Sequence, residues 1–170
     1  MLEASLKNHF MRNYLFLLSL FFVQQVLGQN VDFKKIEYNG LNFYSTKDEI
    51  VRKLGKPKKI FNPNYECGYL SGDEQGDEYF TLDYGKIKYT GNTKEKYLLE
   101  KITFENKKVV LFYGKNRLTS ETTSTQLSKI FGKKFKENGS FLIPFINGDD
   151  GIKIELKNGK LVRIEYWSPC

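Results

Sequence analysis

Apolar and polar residues alternate along most of the chain, in runs separated by glycine-containing turns. Alternation at every second residue predicts strands with one buried face, and turns such as Asn158-Gly159 favour antiparallel hairpins. The positions expected to face inward are Phe80, Leu82, Tyr84, Ile87, Tyr89, Ile102, Phe104, Ile143, Phe145, Ile152, Ile154, Leu156, Val162, Ile164 and Tyr166.

Two segments break this alternation and have apolar residues at helical spacing instead. They are "STKDEIVRKLGKP", residues 45–57, and "TTSTQLSKIFGKK", residues 122–134. Each begins with a threonine followed three residues later by Glu or Gln, which is the spacing of a capping box. Each ends in a glycine suited to a C-terminal cap. These positions are Thr46, Glu49 and Gly55 in the first segment, and Thr123, Gln126 and Gly132 in the second.

The surroundings of the two helices also match. A strand candidate ending in a glycine turn precedes each helix ("KKIEYNGL" and "KVVLFYGK"), and alternating runs follow it. We therefore predict an α+β fold of two tandem repeats, residues 29–107 and 108–170, each a short helix packed on an antiparallel sheet of three to four strands. A unit of that size buries a thin core. We expect the two to lie side by side, sharing sheet edges or a central seam.

The first 28 residues are typical of a secretory signal peptide. Arg12 precedes an apolar run from Tyr14 to Val23, and the Val26-Leu27-Gly28 sequence suits cleavage after Gly28. A membrane anchor is the alternative, but a spanning helix needs roughly 20 apolar residues, and this run is too short. We expect export to the periplasm or the medium without a stable membrane anchor, with either Met1 or Met11 as the start.

The distribution of His and Cys limits the chemistry that the exported chain could perform. The single histidine, His9, lies in the signal peptide, so His-dependent nucleophiles and nearly all zinc sites are excluded. We expect no enzyme activity, no cofactor and no metal. Cys67 and Cys170 either form a disulfide outside the cytoplasm or remain two unpaired thiols.

The charge of the chain is basic but dispersed. The formal net charge is +7 at pH 7, which favours anionic partners in general. The charges are interspersed, and export separates the protein from nucleic acid. We therefore expect no nucleic-acid partner.

One acidic segment supports an alternative function. "SGDEQGDEYF" places Asp73, Glu74, Asp77 and Glu78 in one glycine-punctuated loop. Such a loop could supply oxygen ligands to calcium, or carboxylates to a hydrolase or small-ligand site. Its spacing does not follow the EF-hand pattern, and a solvated loop between strands is the simpler interpretation.

The polar positions of the strands predict a binding face. If the apolar alternate positions face inward, the opposite face carries Tyr, Trp and Arg among mixed charges, a composition enriched at protein-binding hot spots. We expect this open face to bind another protein, as an inhibitor, immunity or envelope-accessory protein does, with the chain itself a monomer. Trp167 could instead cover an edge of the core near the C-terminus, and Tyr79 could be half-buried. The predicted partner-binding residues are Tyr79, Thr81, Asp83, Lys101, Lys153, Glu155, Arg163, Glu165 and Trp167.

The stretch "GLNFYSTKDEIVRKLGKPKKI" resembles the helix motif of the β-lactamase inhibitor protein fold and of the related small outer-membrane-assembly lipoproteins. The matching positions are Gly40, Thr46, Ile50, Leu54, Gly55 and Pro57. The resemblance implies two similar halves, each with helices on a four-stranded antiparallel sheet. The second helical segment departs from the motif, because it has Lys134 at the position that Pro57 occupies in the first segment. The acylated Cys of the lipoproteins is missing, as are the inhibitor's disulfides within each half.

Overall fold

The computed structural model describes residues 30–64 and 78–169. Within these ranges the chain forms two α-helices, α1 (Lys47–Leu54) and α2 (Ser124–Phe131), a single 3-10 turn (Phe33–Lys35) and twelve strands. The strands are β1 (Ile36–Tyr38), β2 (Leu41–Asn42), β3 (Tyr44–Ser45), β4 (Lys59–Phe61), β5 (Phe80–Asp83), β6 (Ile87–Gly91), β7 (Tyr97–Thr103), β8 (Leu111–Tyr113), β9 (Asn116–Leu118), β10 (Gly139–Pro144), β11 (Gly151–Lys157) and β12 (Lys160–Trp167).

The strands form two antiparallel sheets, which confirms the predicted α+β class. The large sheet has the order β10-β11-β12-β7-β6-β5-β4, with β3 also paired to β7, and the small sheet has the order β2-β1-β8-β9. Both sheets combine strands from before and after residue 107, because β7 pairs with β12 and β1 pairs with β8. The two segments thus share both sheets instead of each carrying its own.

Both helices begin at the predicted capping boxes. The hydroxyl of Thr46 accepts from the backbone N–H of Glu49 and the Glu49 carboxylate accepts from the backbone N–H of Thr46, at 3.3 and 2.8 Å. Thr123 and Gln126 repeat the arrangement at 3.2 and 2.8 Å. These bonds satisfy N–H groups that a helix start leaves unpaired.

The core is formed by apolar residues of the large sheet, the small sheet and both helices. A row of four directly opposite isoleucines crosses the centre of the large sheet, and each is almost fully buried: Ile154, Ile164, Ile102 and Ile87. The ring of Phe131 in α2 packs 5.0 Å from that of Tyr113 in β8. One continuous apolar cluster joins both sheets and both helices.

Simple alternation is wrong near the start of β12. Leu161 is 1 % exposed, whereas Val162, the predicted inward residue, is only half-buried. The pairing of β11 with β12 shifts between Glu155 and Leu156. An extra residue of this kind turns the following side chains to the opposite face.

The described chain begins as part of the large sheet. Val31 is fully buried and forms a parallel bridge with Phe145, next to the end of β10. The backbone N–H of Val31 donates to the carbonyl of Pro144 at 2.8 Å, and Lys133 Nζ donates to the carbonyl of Leu142 at 2.8 Å. Much of the outer edge of β10 is therefore occupied, as is common for natural edge strands.

The predicted signal peptide, both cysteines and most of the acidic loop lie outside the described residues. Within residues 30–64 and 78–169, neither helix is long and apolar enough to cross a bilayer.

Candidate functional site

The polar face of the large sheet carries charged side chains in direct register. Five residues on five neighbouring strands lie opposite one another, and together we call them the charged ladder. They are Lys153, Glu165, Lys101, Lys88 and Asp83. All five are half-buried. Directly opposite side chains on one face of a sheet are close enough to interact, so alternation does bring the central predicted residues together.

One end of the charged ladder is a network of ion pairs on β11 and β12. Arg163 lies 2.6 Å from the Glu155 carboxylate through one terminal nitrogen and 3.2 Å from the Glu165 carboxylate through Nε. Lys153 lies 3.8 Å from Glu165 on its other side. The Glu165 carboxylate is therefore shared by two cations of its own segment.

Lys101, in the middle of the charged ladder, has a different environment. It faces Glu165 on one side and Lys88 on the other, but no carboxylate lies within ion-pair distance of its ammonium group among the described residues. Lys88 is itself 3.7 Å from Asp83, and its ammonium lies 5.4 Å from the centre of the Phe61 ring. Like charges directly opposite each other destabilise a sheet by a few tenths of a kcal/mol, up to about 1 kcal/mol. The centre of the face thus carries an uncompensated positive charge.

The two predicted aromatic residues lie far apart on this face. Trp167, half-buried at the end of β12, pairs with Gly151. Its neighbour Tyr166 points to the opposite side, where its hydroxyl donates to Asp150 at 2.9 Å. Burial and this hydrogen bond raise the pKa of Tyr166. The Tyr166 anchor holds the end of β12, and with it Trp167, in place.

Tyr79 does not join this group. It precedes β5, three strands away from β12, and its hydroxyl lies 3.4 Å from the carboxylate of Glu95. Asp83 and Tyr79 therefore lie toward the β4 edge of the sheet. The remaining predicted residues on the polar face lie together: Lys101, Lys153, Glu155, Arg163, Glu165 and Trp167.

Thr81 is a correction to the predicted site. It has the polar-face position that alternation assigns, but it is only 1 % exposed. Its hydroxyl lies 2.7 Å from that of Thr90, and Thr90 in turn donates to Glu100 at 2.5 Å. This part of the polar face is a buried hydrogen-bonded cluster, so Thr81 cannot contact a partner without rearrangement.

The sequence prediction missed Lys88 and Phe61, which extend the face toward β4. Lys88 lies between the inward residues Ile87 and Tyr89, so the same alternation could have found it. Phe61 is 39 % exposed and comes from a three-residue strand, which is too short to show a period.

The alternative acidic-loop site is only partly described. Of its four carboxylates, Glu78 alone falls within the described residues, where it is exposed, and Asp73, Glu74 and Asp77 fall outside. The rest of the described chain brings no three metal-ligating side chains together. Cys67 and Cys170 also fall outside, so their pairing stays a prediction.

No protein-family model matches the chain, and no curated protein and no solved structure matches it either.

Proposed function

We propose that this is an exported, non-enzymatic module that binds another protein through the polar face of the large sheet, centred on Lys101. The observation that carries the proposal is the uncompensated charge of Lys101. Lys101 lies directly opposite Lys88 on one side, and the carboxylate opposite it on the other side, that of Glu165, is shared by Lys153 and Arg163. A partner carboxylate placed over Lys101 would relieve this repulsion. Charge complementarity of this kind gives an interface its orientation and partner selectivity.

The rest of the face suits protein recognition. Half-buried Arg163 is positioned by its short contact with the Glu155 carboxylate and lies beside that of Glu165, so it loses little side-chain freedom on binding. Trp167 adds an aromatic surface at the end of β12, and Arg and Trp are enriched among interface residues that contribute most to affinity. The expected partner presents an acidic group and an apolar side chain at a matching spacing.

Export and duplication complete the proposed function. The signal-peptide pattern of residues 1–28 supports export of the module from the cytoplasm. From the β7–β12 pair outward, β6 and β5 follow on one side and β11 and β10 on the other. This order supports two tandem repeats, which the resemblance to the β-lactamase inhibitor protein fold also implies. An inhibitor, immunity or envelope-accessory role fits such a module.

The test compares two double variants that each lose one cation and one aromatic side chain. Lys101→Ala/Trp167→Ala alters the proposed face. Phe112→Ala/Arg117→Ala alters the outward face of the small sheet, where the two residues are directly opposite and exposed. Wild-type protein and both variants would be immobilised and exposed to envelope extract and culture medium of the native host, and retained proteins quantified by mass spectrometry.

We expect the wild type and the small-sheet variant to retain the same partner equally. With that partner purified, the affinity of Lys101→Ala/Trp167→Ala should be at least about tenfold weaker. Equal retention by all three proteins would show that the face is not the binding site. A greater loss of retained partner in the small-sheet variant would show that the outward face of the small sheet is the binding site.

A further inference from the structure

A cleft of ≈ 450 Å³ opens where β3 pairs with β7. It lies beside β3 and the 3-10 turn, and it is lined by Phe33, Lys34, Asn42, Phe43, Tyr44 and Lys96. Its volume falls in the range of about 300–1,000 Å³ that is usual for small-molecule sites. A second depression, of ≈ 700 Å³, is lined by residues 46–48 and 92–96 and shares Lys96 with it.

Three aromatic rings form a rigid wall of the cleft. The ring of Tyr44 meets those of Phe33 and Phe43 edge-on, with centroids 5.4 and 5.0 Å away. Phe43 is only 2 % exposed and also packs against Phe145 in the core, at 5.4 Å. Because core packing holds Phe43, this wall is formed before any ligand arrives, which lowers the entropic cost of binding.

Tyr44 offers a hydrogen-bond donor within the same wall. Burial raises the pKa of its hydroxyl, and the charge of Asp150 raises it further, so the group stays protonated at neutral pH. Asp150 itself accepts a hydrogen bond from Tyr166. Within the described residues the Tyr44 hydroxyl has no hydrogen-bond partner of its own.

The polar residues of the cleft are dominated by two ammonium groups. Lys34 and Lys96 are both exposed, and neither has a carboxylate within ion-pair distance in the described part of the chain. Of the neighbouring carboxylates, that of Asp32 lies 3.9 Å from Lys35. That of Glu49 accepts the cap hydrogen bond at 2.8 Å, and its charge interacts with that of Lys96 from beyond ion-pair distance. The ammonium group of Lys96 therefore has no direct ion-pair contact among the described residues and can approach a ligand anion.

We propose that this cleft binds a small organic anion, a carboxylate or sulfonate with a flat aromatic body. The body would pack against the accessible parts of Phe33 and Tyr44, which Phe43 supports from the core side, and the anionic group would lie between Lys34 and Lys96. A cationic ligand is disfavoured, because it would have to approach two unpaired ammonium groups. A neutral aromatic compound would use the wall but leave both lysines without a counter-charge.

The test uses 2-naphthoate as the anionic probe, with 2-naphthylmethanol as its neutral counterpart and inorganic sulfate as an anion without an aromatic body. Binding would be followed on the full exported chain by amide chemical shifts and by calorimetry. We expect 2-naphthoate to shift the amides of Phe33, Lys34, Tyr44 and Lys96 and to bind at least about tenfold more tightly than the alcohol or sulfate, since two favourable charge contacts are added to the aromatic contact. Raising the ionic strength should weaken this binding.

Two variants with equal net charge distinguish the cleft from general attraction to a basic protein. Lys34→Ala/Lys96→Ala should weaken 2-naphthoate about tenfold, whereas Lys115→Ala/Lys157→Ala, which removes two exposed lysines elsewhere, should leave its affinity unchanged. Both pairs lie outside the core, so both variants should fold. Equal affinity for acid and alcohol, equal weakening in both variants, or shifts that avoid the cleft would each overturn the proposal.

Discussion

Replacing Ile102 by alanine tests whether the chain before and after residue 107 folds as one cooperative unit. Ile102 is fully buried in β7, directly between Ile87 of β6 and Ile164 of β12. Its side chain therefore joins strands from both segments at the centre of the large sheet. Trp167, the single tryptophan of the sequence, lies at the end of β12 and reports on the later segment.

The magnitude follows from the burial of Ile102. The substitution removes three carbon atoms from the core, and at about 0.8 kcal/mol per buried carbon the transfer contribution is roughly 2.4 kcal/mol. The cavity left between well-paired strands adds to this, so a loss of about 2–5 kcal/mol is expected. A domain of ordinary stability has about 5–15 kcal/mol in total, so the variant should fold with a clearly lower unfolding midpoint.

Ile60→Ala is the matched control. Ile60 lies in the edge strand β4, opposite Leu82, and is 51 % exposed. The same chemical change at this position removes little buried surface and should cost less than about 1 kcal/mol. Urea unfolding of the wild type and both variants would be followed by Trp167 fluorescence and by far-UV circular dichroism.

For Ile102→Ala, we expect both signals to move together to lower urea with an unchanged slope. This is the behaviour of a single two-state transition. If the Trp167 transition stayed at its wild-type midpoint while circular dichroism showed an earlier step, the two segments would unfold separately. That result, or an equal loss of unfolding free energy for Ile102→Ala and Ile60→Ala, would refute the β7–β12 pairing as the source of cooperativity.

Four further predictions concern the helix caps, the ion pairs of Arg163 and the close backbone contact at Gly91. Thr46→Ala should lower the unfolding free energy by about 1 kcal/mol in urea titrations. The hydrogen bond from the backbone N–H of Thr46 holds the pKa of Glu49 below its usual range. The stabilisation from Glu49 is therefore full above the pKa of the unfolded state and is lost as the pH falls through the pKa of the folded state. Urea titrations at several pH values should show that Glu49→Gln removes this pH dependence and that Gln126→Glu introduces it in α2. Arg163→Ala should cost at most about 1 kcal/mol by thermal unfolding, because its ion pairs are partly exposed. Gly91→Ala should cost about 1–3 kcal/mol in the same assay, because the new Cβ would lie 2.5 Å from the carbonyl oxygen of Lys96.

The local elements could be predicted because their signals lie within a few residues. A capping box needs only two side chains three positions apart, and both boxes form as the sequence indicates. Strand alternation over β10 and β11 requires only that one face be buried, and Ile143, Ile152 and Ile154 are indeed buried. These signals also placed the central residues of the charged ladder on one face.

Two features could not be read from periodicity. Irregular pairing next to Glu100 and Val162 changes which residues share a face, and only the partner strand determines where such a shift falls. The aromatic cleft combines a 3-10 turn with strands of two residues, elements too short to have a recognisable period. Alternation assigns Thr81 to the correct face but does not reveal its burial, because that depends on the contact of its hydroxyl with Thr90 on the neighbouring strand.

The sharing of both sheets links the proposed function to the stability of the whole chain. Lys101 and Lys88 lie in the earlier segment, whereas Glu165, Arg163 and Trp167 lie in the later one, and the β7–β12 pairing places them on one face. Separated segments would each expose β7 or β12 as an unpaired edge, a template for association with other chains. The proposed face therefore exists only while β7 and β12 are paired. A variant that disrupts this pairing should lose both partner binding and cooperative unfolding, whereas Lys101→Ala should lose partner binding alone.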